Sequence, residues 1–408
     1  MVPRPNVLSG ILAVVLAITL HYLYEVYEAS LQSGQDCSYA SGDACPVDSL
    51  KISDTDGSAL IYPGGETRCA FDDFTDPKTG FSTNSTYFFQ VFPKPERKKL
   101  LIMFQGGGGC FDDTACNFAM QCSLGTSTFT TVATASNTGV FNSSDPENVF
   151  KDWNIVHIPY CTGDMHSGSK VVDGVDTGHE GVFNHAQCLN QNMPLHLNGF
   201  ENSKAALAWA KTNYPEVDEL VVSGMSAGSM AAQTWAIYIA DLWNVPSSET
   251  RYGILADSCM GVLPAEYPVG KMFDYVGMCD LDLKLPPSVV DACKAGTLTM
   301  NEIVSASLKA LPESRWAFLN SKSDGDQRFF YQFIKDGILG FPFPDILPEA
   351  DFHETVLRFM DTYKEASSYI SSFLVEGSQH IFLTELSYSD TVSVAGQSLG
   401  EFVAQWLS

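Results

Sequence analysis

The pattern G-x-S-x-G occurs once where it could do chemistry, at Gly224-Met225-Ser226-Ala227-Gly228. It follows the apolar run ELVVSG from Glu219 and precedes an Ala-rich stretch that reads as a helix from Ser226 to Trp243. Small residues on both sides let the chain turn sharply from strand to helix, which lifts the Ser226 hydroxyl above the sheet edge. At a helix start the first backbone N–H groups have no carbonyl one turn earlier, so the Ala227 N–H is free to bind a developing oxyanion. That chemistry is acyl transfer with Ser226 as nucleophile. The competing reading is a structural glycine-rich turn.

A serine nucleophile needs a base, an acid to orient it, and a second oxyanion donor. Gln105-Gly106-Gly107-Gly108-Gly109-Cys110 follows the apolar run KLLIMFQ from Lys99, upstream of the serine, where an oxyanion loop belongs. Gly107 and Gly108 are the donors it offers. A phosphate loop would end in G-K-[ST], and this one does not. In serine hydrolases built on a strand-turn-helix elbow the acid follows the serine and the histidine comes last. Eight histidines then reduce to His353 and His380. His353 lies in DFHETVLRFM and reads as a helix-face residue, whereas His380 ends the loop Gly377-Ser378-Gln379-His380 after an apolar strand. For the acid, Asp324 and Asp326 in SDGDQ both follow the strand RWAFL, and Asp257 after RYGILA is a weaker rival. An aspartate in such a position also caps helices, and Asp326 suits that role.

The elements that must hold these groups alternate along the chain. Strands are expected at 99–105, 153–160, 219–224, 251–256, 315–319 and 370–375. Helices are expected at 200–214, 226–243 and 399–407. Continuous apolar strands separated by helices predict a mostly parallel sheet covered on both faces, an α/β fold. Residues 31–95, rich in Gly, Ser, Asp and Cys, read as a β-rich N-terminal elaboration. With 408 residues, no repeat and no linker, one domain over 31–408 with disulfide-bearing loops is the better reading.

Composition sets the compartment and excludes partners. The 48 acidic residues against 23 Lys and Arg, a formal −25, exclude nucleic acid and disfavour an anionic membrane surface. Arg4 before the apolar run Val7–Leu20 is a secretory pattern, either a cleaved signal peptide over residues 1–30 or an uncleaved anchor in a membrane. The eleven cysteines lack the C-x-x-C spacing of zinc sites, so no metal is expected and disulfides are the default. Cys116–Cys122 and Cys279–Cys293 are the local pairs expected, and an odd count leaves one thiol over. Asn84-Ser-Thr and Asn142-Ser-Ser are glycosylation acceptors.

Taken in order, the GGGGC loop, PYCTGDMHSG at 159–168, GMSAGS at 224–229, SDGDQ at 323–327 and GSQH at 377–380 resemble the pectin acetylesterase family, which includes the Notum-type carboxylesterases. The resemblance covers roughly residues 60–407. It implies an α/β-hydrolase-like fold and a Ser226–His380–Asp324 triad, the acid being selected by the family's Asp-x-x-Gln pattern. It implies Ala227, Gly107 and Gly108 as oxyanion donors and marks Asp164 and His166 as wall residues. Family members often carry Trp within the glycine loop, where this chain has only Gly. The activity implied is hydrolysis of O-acetyl esters on a polysaccharide such as pectin, with no cofactor, outside the cell or in a cell wall. A strongly acidic body repels demethylated pectin unless its cleft is locally basic. The alternatives are therefore a fatty-acyl carboxylesterase and an inert glycan-binding module on the same fold.

Overall fold

The computed structural model describes residues 37–39, 42, 44–75, 82–112, 115–116, 134–135, 137–172, 194–337 and 343–408. The apolar N-terminal run, Cys122 and Cys188 lie outside those residues. No helix among the described residues is long and apolar enough to cross a membrane.

The apolar runs pair into one sheet. Its strands are β1 (Cys37–Ser38), β2 (Ala59–Tyr62), β3 (Phe89–Phe92), β4 (Lys99–Phe104), β5 (Asn154–Ile158), β6 (Glu219–Met225), β7 (Arg251–Asp257), β8 (Arg315–Ser321) and β9 (Ile370–Val375). They lie in the order β1-β2-β3-β5-β4-β6-β7-β8-β9. Only β3 runs antiparallel to its neighbours. The rest pair in parallel. Strands β2 and β3 come from the N-terminal elaboration and extend the main sheet, because ALIY and FQVF bury their side chains against it.

Alternation along a strand sorts side chains to two faces. Leu100, Ile102 and Phe104 of β4 enter a large core shared with α1 (Gly199–Asn213), α2 (Ala227–Thr234), α3 (Ala236–Leu242), α6 (Met300–Ala310) and α8 (Glu349–Ala366). The helices α4 (Val269–Tyr275), α5 (Pro287–Lys294) and α7 (Gly325–Asp336) complete that layer. Leu101 and Met103 face a smaller core closed by α9 (Leu399–Leu407) and by Phe141, Phe150 and Trp153. Helices thus cover both faces, unequally. The helix expected over 226–243 breaks at Trp235. Its ring is caught between Phe104 and Phe200, at 6.4 and 5.4 Å, and its indole N–H donates to the His166 carbonyl.

The β6–α2 turn is where glycine is obligatory. A Cβ on Gly228 would stand 2.2 Å from the Phe104 carbonyl oxygen, and one on Gly224 would stand 2.1 Å from that of Gly228. The helix therefore starts in direct backbone contact with the end of β4.

Disulfides fasten the periphery. Cys37–Cys45, Cys69–Cys161, Cys110–Cys116 and Cys279–Cys293 form, and Cys259 is free among the described cysteines. The Cys279–Cys293 pair is the one expected. Cys116 pairs instead with Cys110, not Cys122, because the short turn after the glycine loop brings Cys116 back on it, where its N–H donates to Asp112 O. Of the sequons, Asn84 is exposed and Asn142 half-buried. We expect non-reducing peptide mapping to recover Cys110 with Cys116 and Cys69 with Cys161. Replacing Cys69 and Cys161 by Ala should cost about 2–5 kcal/mol, read as a lowered Tm, since that bond closes a loop of 92 residues.

Candidate active site

The C-terminal ends of five parallel strands converge, as ligand sites in open α/β sheets do. β4 delivers the glycine loop, β6 delivers Ser226, β7 ends at Asp257, β8 leads to Asp324 and β9 leads to His380. Ser226 has φ 53° and ψ −120°, a conformation that non-glycine residues rarely hold. Its N–H donates to the Asp257 carbonyl at 2.8 Å, which ties the turn to the next strand. The Ala227 N–H opens helix α2, where no preceding turn can accept it.

Asp324 is fully buried, and of the three aspartates it is the one bonded to His380. His380 Nδ1 lies 2.8 Å from Oδ2 and 3.0 Å from Oδ1. The carboxylate also caps α7, accepting the Gln327 N–H at 2.9 Å, and takes the Gln327 side-chain amide at 2.8 Å. Gln327 is itself fixed by donating to Asn320 Oδ1 at 2.7 Å. The capping role expected of Asp326 thus belongs to Asp324, and Asp326 stands exposed in the first turn of α7. Burial pulls the His380 pKa down, but the bond and charge of Asp324, with the charges of Asp326 and Asp257 behind it, outweigh burial. The net shift is upward from 6.5. Ser226 and His380 line the same cleft, with no hydrogen bond between them among the described residues.

The glycine loop is held from behind by the stretch 160–168. Gly107 and Gly108 have φ of 150° and 77°, which only glycine adopts without strain. The Tyr160 hydroxyl donates to the Gly108 carbonyl, and the Tyr160 N–H donates to Gln105 Oε1. His166 Nε2 donates to the Gln105 carbonyl at 2.8 Å, and the Cys110 N–H donates to Gly163. His166 is buried against Tyr160 and Phe104, and burial holds its pKa down at about 4. Asp164 is also fully buried and accepts from Thr162 and from the Gly199 N–H at the start of α1. Burial lifts its pKa to about 6. Neither Asp164 nor His166 lines the cleft beside Ser226; they brace the loop, and Met165 between them supplies the wall. Polar residues folded inward in a Gly-containing turn were indistinguishable by type from residues pointing at a ligand.

Two arms of the cleft meet at Ser226 and His380. The narrow arm, about 80 Å³, is apolar and lined by Phe111, Met165, Met230, Val262, Leu263 and Met272. The free thiol of Cys259 lies on its wall, and burial pushes its pKa up to about 12, so it stays protonated. The wide arm, about 690 Å³, carries His157, Asp326 and Glu385 among Phe141, Phe329 and Phe330. No Lys or Arg among the described residues lines either arm.

Asp257 does not touch His380; it holds the loop that carries it. Asp257 Oδ2 accepts the Phe382 and Leu383 N–H groups at 2.7 and 2.8 Å. Ser258 Oγ donates to Oδ1 and accepts the Ile381 N–H at 3.0 Å. Three successive amides after His380 are thereby fixed to the end of β7. Burial raises the Asp257 pKa to about 6. A carboxyl with a raised folded-state pKa is stabilising while protonated, and that stability is lost as pH rises from about 4 through 6. Asp257→Asn should lower kcat/KM about tenfold by loosening the loop. Its Tm deficit relative to the native chain should shrink between pH 5 and pH 7, by the equivalent of about 1 kcal/mol. An unchanged kcat/KM, or a deficit that grows with pH, contradicts this role.

The chain matches the pectinacetylesterase family over residues 82–262. That stretch contains the glycine loop, its brace and the elbow, and stops before Asp324 and His380. No curated protein matches by sequence. Two crystal forms of the Wnt deacylase Notum from Drosophila share the fold. The first has a TM-score of 0.54 at 15% identity, covering 85% of this chain and 91% of that one. The second has 0.55 at 15% identity, covering 83% and 93%. Residues 82–262 of the chain thus resemble the pectinacetylesterase family, and the chain as a whole shares its fold with the Notum structures.

Proposed function

We propose that the protein is a serine carboxylesterase of the extracellular space that removes short acyl groups, acetyl foremost, from a carbohydrate. The Asp324–His380 bond beside the strained Ser226 elbow is the observation that carries this reading. Ser226 Oγ attacks the ester carbonyl while His380 Nε2 takes its proton. Asp324 holds the Nδ1–H tautomer and stabilises the imidazolium. The tetrahedral oxyanion is bound by the N–H groups of Ala227 and of Gly107 or Gly108. His380 returns the proton to the leaving alkoxide, then activates water to release the acid. The Ser–His hydrogen bond is one that tightens when substrate binds, as in other hydrolases without ligand. Disulfides such as Cys69–Cys161 favour an oxidising compartment.

The narrow arm is the acyl side. Its 80 Å³ compares with roughly 10–15 Å³ needed for one water, so it takes an acetyl group or a chain of a few carbons. Its three methionines, Met165, Met230 and Met272, are adaptable and favour the second reading, a lipid-acyl esterase, if they move apart. An inert binding module would need neither the Asp324–His380 pair nor a strained serine.

Ser226→Ala should abolish hydrolysis of an aryl acetate while leaving Tm within about a degree, and activity retained in a clean sample of that variant overturns the assignment. In the native protein kcat/KM should fall as pH drops through a value above 6.5, where His380 becomes protonated. Asp324→Asn should move that acid limb downward and cut the rate by about 10⁴. Across aryl esters from acetyl to palmitoyl, activity should peak at the short chains; a palmitoyl optimum selects the lipid reading instead.

A further inference from the structure

His157 is a polar group that neither the fold nor the mechanism uses. It sits on β5, paired in register with Met103 of β4 and Gln90 of β3, at 1% exposure. Its Nδ1 has no hydrogen-bond partner among the described residues. Buried polar side chains are nearly always satisfied, so an orphan at a binding cleft asks for a ligand. The ring is at the wall of the wide arm, edge-on to Phe141 at 5.2 Å. Burial, helped by the nearby His166, holds its pKa down at about 3, so it is neutral and offers one donor and one acceptor. The same arm carries the carboxylates of Asp326 and Glu385, neither in an ion pair among the described residues, and the rings of Phe329 and Phe330.

We propose that the wide arm is a leaving-group subsite for an uncharged, hydroxyl-rich alcohol, a neutral sugar, read by His157 and guarded by Asp326 and Glu385. The inference rests on the esterase reading above and adds the class of alcohol. Carboxylates are acceptors only, so they suit hydroxyl donors. A uronate brought between two carboxylates with no cation to offset them is repelled, and the low-dielectric walls of a cleft strengthen that repulsion. A neutral imidazole completes a hydroxyl's remaining bond without adding charge. The aromatic rings offer flat apolar faces to the C–H side of a pyranose.

The test compares kcat/KM on four acetate esters: a neutral xylo-oligosaccharide, an oligogalacturonate, a serine peptide and an aryl alcohol. At low ionic strength the native protein should prefer the neutral sugar over the uronate by tenfold or more, and added salt should narrow the gap. His157→Phe should lower kcat/KM on the neutral sugar about tenfold relative to the aryl ester, chiefly through KM, and His157→Gln should recover part of the loss. The double variant Asp326→Asn/Glu385→Gln should raise the uronate-to-neutral ratio several-fold, a readout that holds even if His157→Phe folds poorly. The subsite is overturned if the uronate or the serine peptide is cleaved as well as the neutral sugar. It is also overturned if the His157 variants lower all esters in proportion. Failure on the aryl ester as well would sink the esterase reading itself, a different result.

Discussion

The backbone contact between Gly228 and the end of β4 is the constraint from which the site follows. Because helix α2 begins against the Phe104 carbonyl, Ser226 can only occupy its positive-φ turn, and the glycine loop that continues from Phe104 must pass directly beside it. Ser226 and the glycine loop are therefore placed side by side by one close approach of two main chains, independent of any side-chain rotamer. Side chains take over at the next layer out. Asp324 caps α7 and orients His380 with the same carboxylate, so the helix cannot slide without moving the imidazole. Asp257 and Ser258 grip the amides beyond it.

Stability and chemistry share these groups. The loop after β8 and the loop after β9 are joined by Ser321 Oγ to Gln379 O, Ser323 Oγ to Gly377 O and Gly325 N–H to Ser378 O. The backbone segment that presents His380 is thus laced on one side to β8 and on the other to β7. Behind the glycine loop, Tyr160, His166 and the Cys110–Cys116 bond do the corresponding work. Positioning a near-attack geometry within tenths of an ångström calls for this kind of support from residues that never meet substrate.

Much of this was legible in the sequence, for reasons that differ by residue. The strands showed as apolar runs, and the elbow showed because only small residues permit the turn. Order along the chain left His353 and His380, and the fold brings His380 against Asp324. What stayed hidden were contacts between distant segments. No spacing announces that Asp164 points inward to Gly199, or that Asp257, 125 residues before Phe382, grips the histidine loop. The wrong partner for Cys116 has the same origin, since two nearby cysteines lay on either side of it and only the path of the turn selects one. His157 looked like an ordinary strand residue, and its unpartnered nitrogen exists only once β5 is packed.

Four of the buried titratable residues around the site, two carboxyls and two imidazoles, oppose one another. Asp164 and Asp257, with pKa values near 6, hold their protons more tightly folded than unfolded, so each withdraws stability as pH climbs from about 4 to 6. His157 and His166, at about 3 and about 4, refuse a proton that the unfolded chain accepts below 6.5, so each withdraws stability as pH falls through the same interval. Two slopes of each sign nearly cancel, and unfolding in mild acid exchanges almost no protons at these sites. This cluster therefore adds little pH dependence of its own between pH 4 and 6.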